Sequence, residues 1–133
     1  MPRKVTRNFQ PPRPTDAELA ILRVLWTRGP STVREVFDVL NTMRDEPFAY
    51  TTVLRFLQIM TEKQLVLRGE RERMHVYAPM VPAERTQQQM VGDLMDRAFG
   101  GSVRDLVLHA LGARKVSAAE LREIRKLLNE LDQ

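Results

Sequence analysis

The chain has no cysteine and a single tryptophan among its 133 residues. Without cysteine there is no disulfide framework, thiol nucleophile or thiolate metal site, which fits a cytoplasmic protein. No run of 18 apolar residues occurs, and no hydrophobic stretch follows the basic N-terminus, so neither membrane insertion nor secretion is expected. Only two histidines are present. His75 reads as a ribbon surface residue and His109 as a partly buried helix residue. They share no ligand spacing with each other or with a carboxylate cluster, so no metal site and no cofactor is expected. GxSxG, GxGxxG and P-loop motifs are all missing, and an enzyme is not expected.

What the chain does have is unevenly placed charge. Residues 1–82 hold 13 Lys+Arg against 9 Asp+Glu, whereas residues 83–133 hold 8 of each. Residues 1–14, "MPRKVTRNFQPPRP", carry four basic groups and no acid, which accounts for the whole excess. A basic half beside a neutral half is the footprint of a chain that meets phosphate with one part. The alternative is chance, because the imbalance is small.

The prolines of residues 1–14 mark a flexible or extended basic arm. Thr15 then opens a helix through the capping box "TDAE", with Leu19, Leu22, Leu25 and Trp26 as its apolar stripe. It stops at "RGP", where Gly29 caps and Pro30 cannot continue. A second box, "TVRE", starts a helix with Val33, Val36, Phe37 and Leu40 on one face. After "RDEP" a third helix begins near Tyr50 and repeats the spacing with Val53, Phe56, Leu57 and Met60. Next comes "LVLRGERERMHVYAP", alternating apolar and polar residues around a charged, Gly-containing turn, the signal of a hairpin. Helix-helix-helix-hairpin is the winged-helix order.

Beyond "PMVPAERT" a helix places Gln87, Met90, Val91, Leu94, Met95 and Ala98 on one face and breaks at Gly100-Gly101. A short apolar helix, "SVRDLVLHALG", follows, and then a third box, "SAAE". From there Leu121, Ile124, Leu128 and Leu131 recur at the a/d spacing of a helix that has a helical partner. The expected fold is mostly α with a small β-hairpin. A basic arm (1–14) precedes a winged helix-turn-helix domain (15–82) and a helical dimerisation domain (83–133).

At about 100° per residue, Thr51, Arg55, Gln58 and Glu62 lie opposite the apolar stripe of the third helix. Arginine bonds guanine O6 and N7 as a fork, and threonine donates, accepts or touches a thymine methyl. Thr51 and Thr52 equally suit a phosphate at the helix N-terminus. The competing reading is a solvated face with threonines as caps. In the hairpin, Arg68, Arg71 and Arg73 suit phosphates or a minor groove, unless Glu70 and Glu72 simply neutralise them. Arg3, Lys4, Arg7 and Arg13 would add counterion-releasing contacts if they are more than a solvated tail.

The segments "PTDAELAILRVLW", "STVREV", "AYTTVLRFLQIMTEKQLV", "HVYAPMV" and "GGSVRDLVLHAL" resemble, in collinear order, the bacterial penicillinase repressor family, which includes the methicillin-resistance repressors. The resemblance covers roughly residues 14–131. It implies a homodimeric winged-helix repressor of an operator dyad, with Thr51, Thr52 and Arg55 on the recognition helix. It also implies that leucine-rich helices from Val103 onward intertwine with a second protomer. The residues expected to carry dimerisation are Leu94, Val103, Leu106, Val107, Leu111, Leu121, Ile124, Leu128 and Leu131. The alternative is an intramolecular helical subdomain.

Members of that family are inactivated by proteolysis near the start of the dimerisation domain, under a membrane sensor protease, and the associated cut falls at an Asn-Phe bond. Here the matching window, Phe99, Gly100, Gly101, Ser102, Val103 and Arg104, has no such bond; Asn8-Phe9 in the arm is the only one. A copper-responsive branch uses C-terminal cysteines, which this chain lacks. Antibiotic resistance is the output associated with the family's best-known members. Outside the resemblance, two other functions stand: a winged helix docking a protein through Leu54 and Ile59, and a repressor gated by a small ligand.

Overall fold

A computed structural model describes residues 13–133 of the chain. Two reciprocal capping boxes start its first helices. Thr15 Oγ1 accepts the Glu18 amide at 3.2 Å while the Glu18 carboxylate accepts the Thr15 amide at 3.0 Å, opening α1 (Asp16–Arg28). Thr32 and Glu35 do the same at 3.1 and 2.9 Å for α2 (Val33–Thr42). Gly29 ends α1 at φ 92°, a conformation only glycine adopts without strain, and its N–H returns to Leu25 O. The third expected box is half formed. Ser117 accepts the Glu120 amide at 3.1 Å to open α6 (Ala118–Leu131), without the return bond that the first two boxes have.

The third helix, α3 (Tyr50–Glu62), ends in a Schellman turn. Gln64 stands at φ 64°, its amide bonds Thr61 O, and the Leu65 amide bonds Met60 O at 2.9 Å. Strands β1 (Val66–Arg71) and β2 (Met74–Pro79) follow, antiparallel, with Arg71 opposite Met74. The connecting loop is therefore Glu72-Arg73 alone, both at left-handed φ (52° and 68°), as a two-residue hairpin of type I′ requires. Gly69 sits inside β1 opposite Val76, not in the turn where its glycine signal pointed. Pairing runs unbroken through it, from Val66 opposite Pro79 to Arg71 opposite Met74, so the register rather than the glycine sets the loop.

One element escaped sequence reading. Ser31, between α1 and α2, exchanges backbone hydrogen bonds with Tyr77 at 2.8 and 3.0 Å and so adds a one-residue third rung to the ribbon.

The core consists of Ile21, Leu22, Val24 and Leu25 of α1, Val33, Val36 and Leu40 of α2, and Val53, Leu57 and Met60 of α3. Leu65, Val66 and Tyr77 close it from the ribbon side. On α1 the buried face is turned from the expected stripe: Leu19 and Trp26 are half-buried, while Ile21 and Glu18 are fully withdrawn. "LAILRVLW" is apolar on more than one side, so periodicity alone does not single out a face. Trp26 closes a different contact, donating its indole N–H to Val81 O at 2.9 Å. Glu18, buried, meets Lys63 Nζ from the end of α3 at 2.8 Å. Burial opposes its charge, but the hydrogen bonds from Lys63 and the Thr15 amide outweigh that and hold its pKa below the usual glutamate value.

By compactness the chain divides between Met90 and Val91, inside α4 (Ala83–Ala98). In the second unit, α5 (Val103–Ala113) and α6 contain no fully buried residue.

Candidate nucleic-acid interface

The core holds α3 from behind. Val53, Leu57 and Met60 are sealed, and the half-buried Phe56 ring stands edge-on to Phe48 at 5.5 Å. The opposite face presents Thr51, Arg55, Gln58 and Glu62 to solvent, and Thr52 is half-buried beside them. Among the described residues Arg55 forms no ion pair, so its guanidinium fork is unused.

The start of α3 is electrostatically unlike those of α1, α2, α5 and α6. Those four begin on a Thr or Ser hydroxyl and carry an acid in the first turn. By contrast α3 begins on Ala49, with no side-chain cap and no acid. Its positive end therefore carries neither a hydroxyl cap nor an acid of its own.

Three features missed in the sequence fix where α3 sits. Asn41 of α2 bonds both the N–H and the C=O of Phe48, each at 3.0 Å, clamping the loop before α3. Arg44 lies 4.0 Å over the Phe48 ring. Tyr50, the first residue of α3, meets Phe37 of α2 edge-on at 5.5 Å. An amide that satisfies a backbone pair seven residues away has no periodic signature, and the two ring contacts depend on the α2–α3 crossing.

The ribbon separates its three arginines. Arg68 in β1 and Arg73 in the turn are exposed and, among the described residues, make no ion pair. Arg71 is engaged: its Nη2 lies 3.0 Å from Glu35 Oε1. Glu35 Oε2 takes Arg28 Nη2 at 2.9 Å, and Oε1 also accepts the Thr32 amide. The Thr32 amide, then Arg71 and Arg28, hold the Glu35 pKa below its ordinary value. Arg3, Lys4 and Arg7 lie outside the described residues; Arg13 is described and exposed.

In the second unit, the residues expected to pair with another protomer stay largely uncovered. Leu94, Val103, Val107, Leu111, Leu128 and Leu131 are exposed, Leu131 to 74%. Leu106, Leu121 and Ile124 are half-buried, and Leu108 and Leu127, which the a/d pattern passed over, are exposed too. Phe99 to Ser102 form the turn between α4 and α5. Gly100 and Gly101 take left-handed φ there, Val103 opens α5 exposed, and Arg104 pairs with Asp105. Phe99 is half-buried, its ring 5.5 Å from that of His109, which is exposed rather than partly buried. His75 is exposed in β2.

Among the described residues no three His, Asp or Glu side chains gather as a metal site, and no helix is long and apolar enough to cross a membrane.

Known proteins are similar to this chain over nearly its whole length. The transcriptional regulator BlaI of Mycobacterium tuberculosis H37Rv is 35% identical over 119 residues, 88% of this chain and 83% of that protein. The penicillinase repressor of Bacillus licheniformis is 23% identical, over 90% of this chain and 91% of its own length. The solution structure of monomeric B. licheniformis BlaI in complex with the blaP half-operator aligns at 23% identity with TM-score 0.49, over 56% of this chain and 89% of that one. A family model described as penicillinase repressor matches residues 14–130, and the chain belongs to that family of DNA-binding transcriptional repressors.

Proposed function

We propose that the chain acts as a homodimer that reads an operator dyad with two copies of α3 and straddles it with two ribbons. The observation that carries this reading is the exposed row Thr51, Arg55 and Gln58 on a helix whose other face is locked into the core. A rigid helix with its N-terminal turn uncapped is suited to the major groove, where Arg55 takes a guanine and Thr51, Thr52 and Gln58 take neighbouring bases or phosphates. Arg68 and Arg73 of the ribbon supply phosphate contacts, which add affinity but no sequence information. Half-sites then lie about one or two helical turns apart.

Dimerisation is supported by the uncovered leucines of α5 and α6. Helices of 11 and 14 residues with no buried face are marginal in water, and a second copy supplies the missing surface. Joining two reading heads makes the second half-site contact effectively intramolecular, so separating the protomers releases DNA without altering α3. Cutting the chain between Phe99 and Arg104, in the turn and the start of α5, by a membrane sensor protease of the kind the family resemblance implies, would separate them. Incubation with the cognate sensor protease should yield a fragment starting in that window; an intact chain removes this part of the reading.

The overall reading is tested by fluorescence-anisotropy titration against DNA from upstream of the chain's own coding sequence, beside a scrambled duplex, at two salt concentrations. Tight, salt-sensitive binding that prefers the native fragment is expected. Binding insensitive to salt, or equal on both duplexes, contradicts it.

A further inference from the structure

We infer that Arg71 and Glu35 form a strut that aims the wing, so that Arg71 is a positioning residue for DNA binding and not a phosphate contact. The inference rests on the DNA-binding reading and gives one of its three ribbon arginines a different task. A two-stranded ribbon is marginal by itself, and its direction depends on what braces it. The wing is braced at two levels. Near its base, Tyr77 exchanges two backbone bonds with Ser31. Near its tip, the lateral tie is the 3.0 Å bond from Arg71, the last residue of β1 before the Glu72-Arg73 turn, to Glu35 on the first turn of α2.

The acceptor at that upper level is built, not incidental. Glu35 is the third residue of α2, and its carboxylate is pinned by the Thr32 amide at 2.9 Å and by Arg28 Nη2 at 2.9 Å. Its own N–H is fixed to Thr32 Oγ1 at 3.1 Å, and Arg28 is steadied in turn by Nε to Ser31 Oγ at 3.1 Å. Because Ser31 also carries the lower brace, both levels of the wing are referred to one junction between α1 and α2. That junction leads directly into α2, which Asn41 and Phe37 lock to α3. The angle between reading helix and wing is thereby fixed before DNA arrives, and the ordering that binding would otherwise require is already in place. Arg68 and Arg73 are left to meet phosphate.

The test uses the full chain and the upstream duplex, titrated at several salt concentrations, with Glu35→Gln, Arg71→Gln, the double variant, and Arg73→Gln for comparison. Glutamine at position 35 keeps the capping box, so α2 stays formed; unchanged circular dichroism checks this. Glu35→Gln and Arg71→Gln should each weaken binding by roughly two- to fivefold, the range of one partly exposed pair, although Glu35 touches no DNA. The double variant should bind like Glu35→Gln alone, because without the Glu35 carboxylate Arg71 has no ion pair left to lose. Arg71→Gln should leave the slope of log affinity against log salt as in wild type, whereas Arg73→Gln should make it shallower by about 0.9 for each phosphate that arginine neutralises. If Arg71→Gln reduces the slope like Arg73→Gln while Glu35→Gln binds as tightly as wild type or more so, Arg71 is a phosphate contact and the strut is wrong. Wild type that shows no salt-sensitive binding overturns the DNA reading itself, before any variant is compared.

Discussion

Replacing Lys63 by methionine should destabilise the winged domain in a manner whose pH dependence identifies the cause. The side chain of Glu18 is 3% exposed, and the Lys63 ammonium 2.8 Å away compensates its charge. Methionine keeps the bulk of the stem and removes only that charge. The stranded carboxylate then escapes by taking up a proton, which sets a ceiling on the loss. From an ordinary pKa of about 4.3 to pH 7, at about 1.36 kcal/mol per unit, protonation costs about 3.7 kcal/mol. Lys63 is itself about one-third exposed, so solvent already screens part of the attraction and the expected loss is about 2 kcal/mol at pH 7. For a domain of this size that lowers the melting temperature by about 8–16 °C.

The sign of the pH dependence is the sharper test. In wild type the pKa of Glu18 is lowered, so its contribution is present above the unfolded glutamate pKa and is lost as pH falls through the folded one. In Lys63→Met the folded pKa is raised instead. The penalty is then absent at low pH and grows as pH rises from about 4 toward 7. Adding Glu18→Gln to Lys63→Met should recover part of the stability at pH 7, because glutamine keeps the bond to the Thr15 amide without a buried charge. Thermal melts of the three variants at pH 4 and pH 7 decide the matter. A loss equal at both pH values, or below about 0.5 kcal/mol at pH 7, refutes the buried-pair account.

Three further outcomes follow from named interactions. Gln64→Gly should raise stability by about 0.5 kcal/mol, since the left-handed C′ position of the α3 Schellman turn strains a side chain and only part of the gain is offset by unfolded-state entropy; a decrease in urea midpoint contradicts this. Trp26→Phe should cost about 1–2 kcal/mol by leaving Val81 O without its indole donor, read as a lower urea midpoint with unchanged m-value. Leu128→Asp with Leu131→Asp should give a monomer in sedimentation and weaken operator binding while the circular dichroism of the winged domain persists; a dimer that survives the double change places the interface elsewhere.

What could be read in advance was local. Thr15–Glu18 and Thr32–Glu35 are legible because a capping box is a contact at i, i+3, and the exposed face of α3 is legible because 3.6 residues per turn place Thr51, Arg55 and Gln58 opposite Val53 and Leu57. Contacts that close across the fold carried no such mark. Glu18 serves its local box and also meets Lys63, 45 residues on, and only the tertiary packing of α1 against the end of α3 creates that pair. The same holds for Ser31 with Tyr77 and for Asn41 with the Phe48 backbone. Arg71 was legible as a charge on the ribbon, but not as a charge already engaged, because its partner sits at the start of another helix. In α6 the a/d spacing indicated an apolar seam, yet spacing does not distinguish a partner helix of the same chain from one of another copy.

The central claim is that α3 reads base sequence, and Arg55→Ala tests it most directly. Affinity of wild type and variant should be measured by anisotropy on the native upstream duplex and on a scrambled one at the same salt. Removing a bidentate arginine–guanine pair should cost about 1–3 kcal/mol on the native duplex and far less on the scrambled one, narrowing the ratio between them. Equal losses on both would make Arg55 a phosphate contact, and unchanged affinity on both would mean that α3 does not enter the groove with this face.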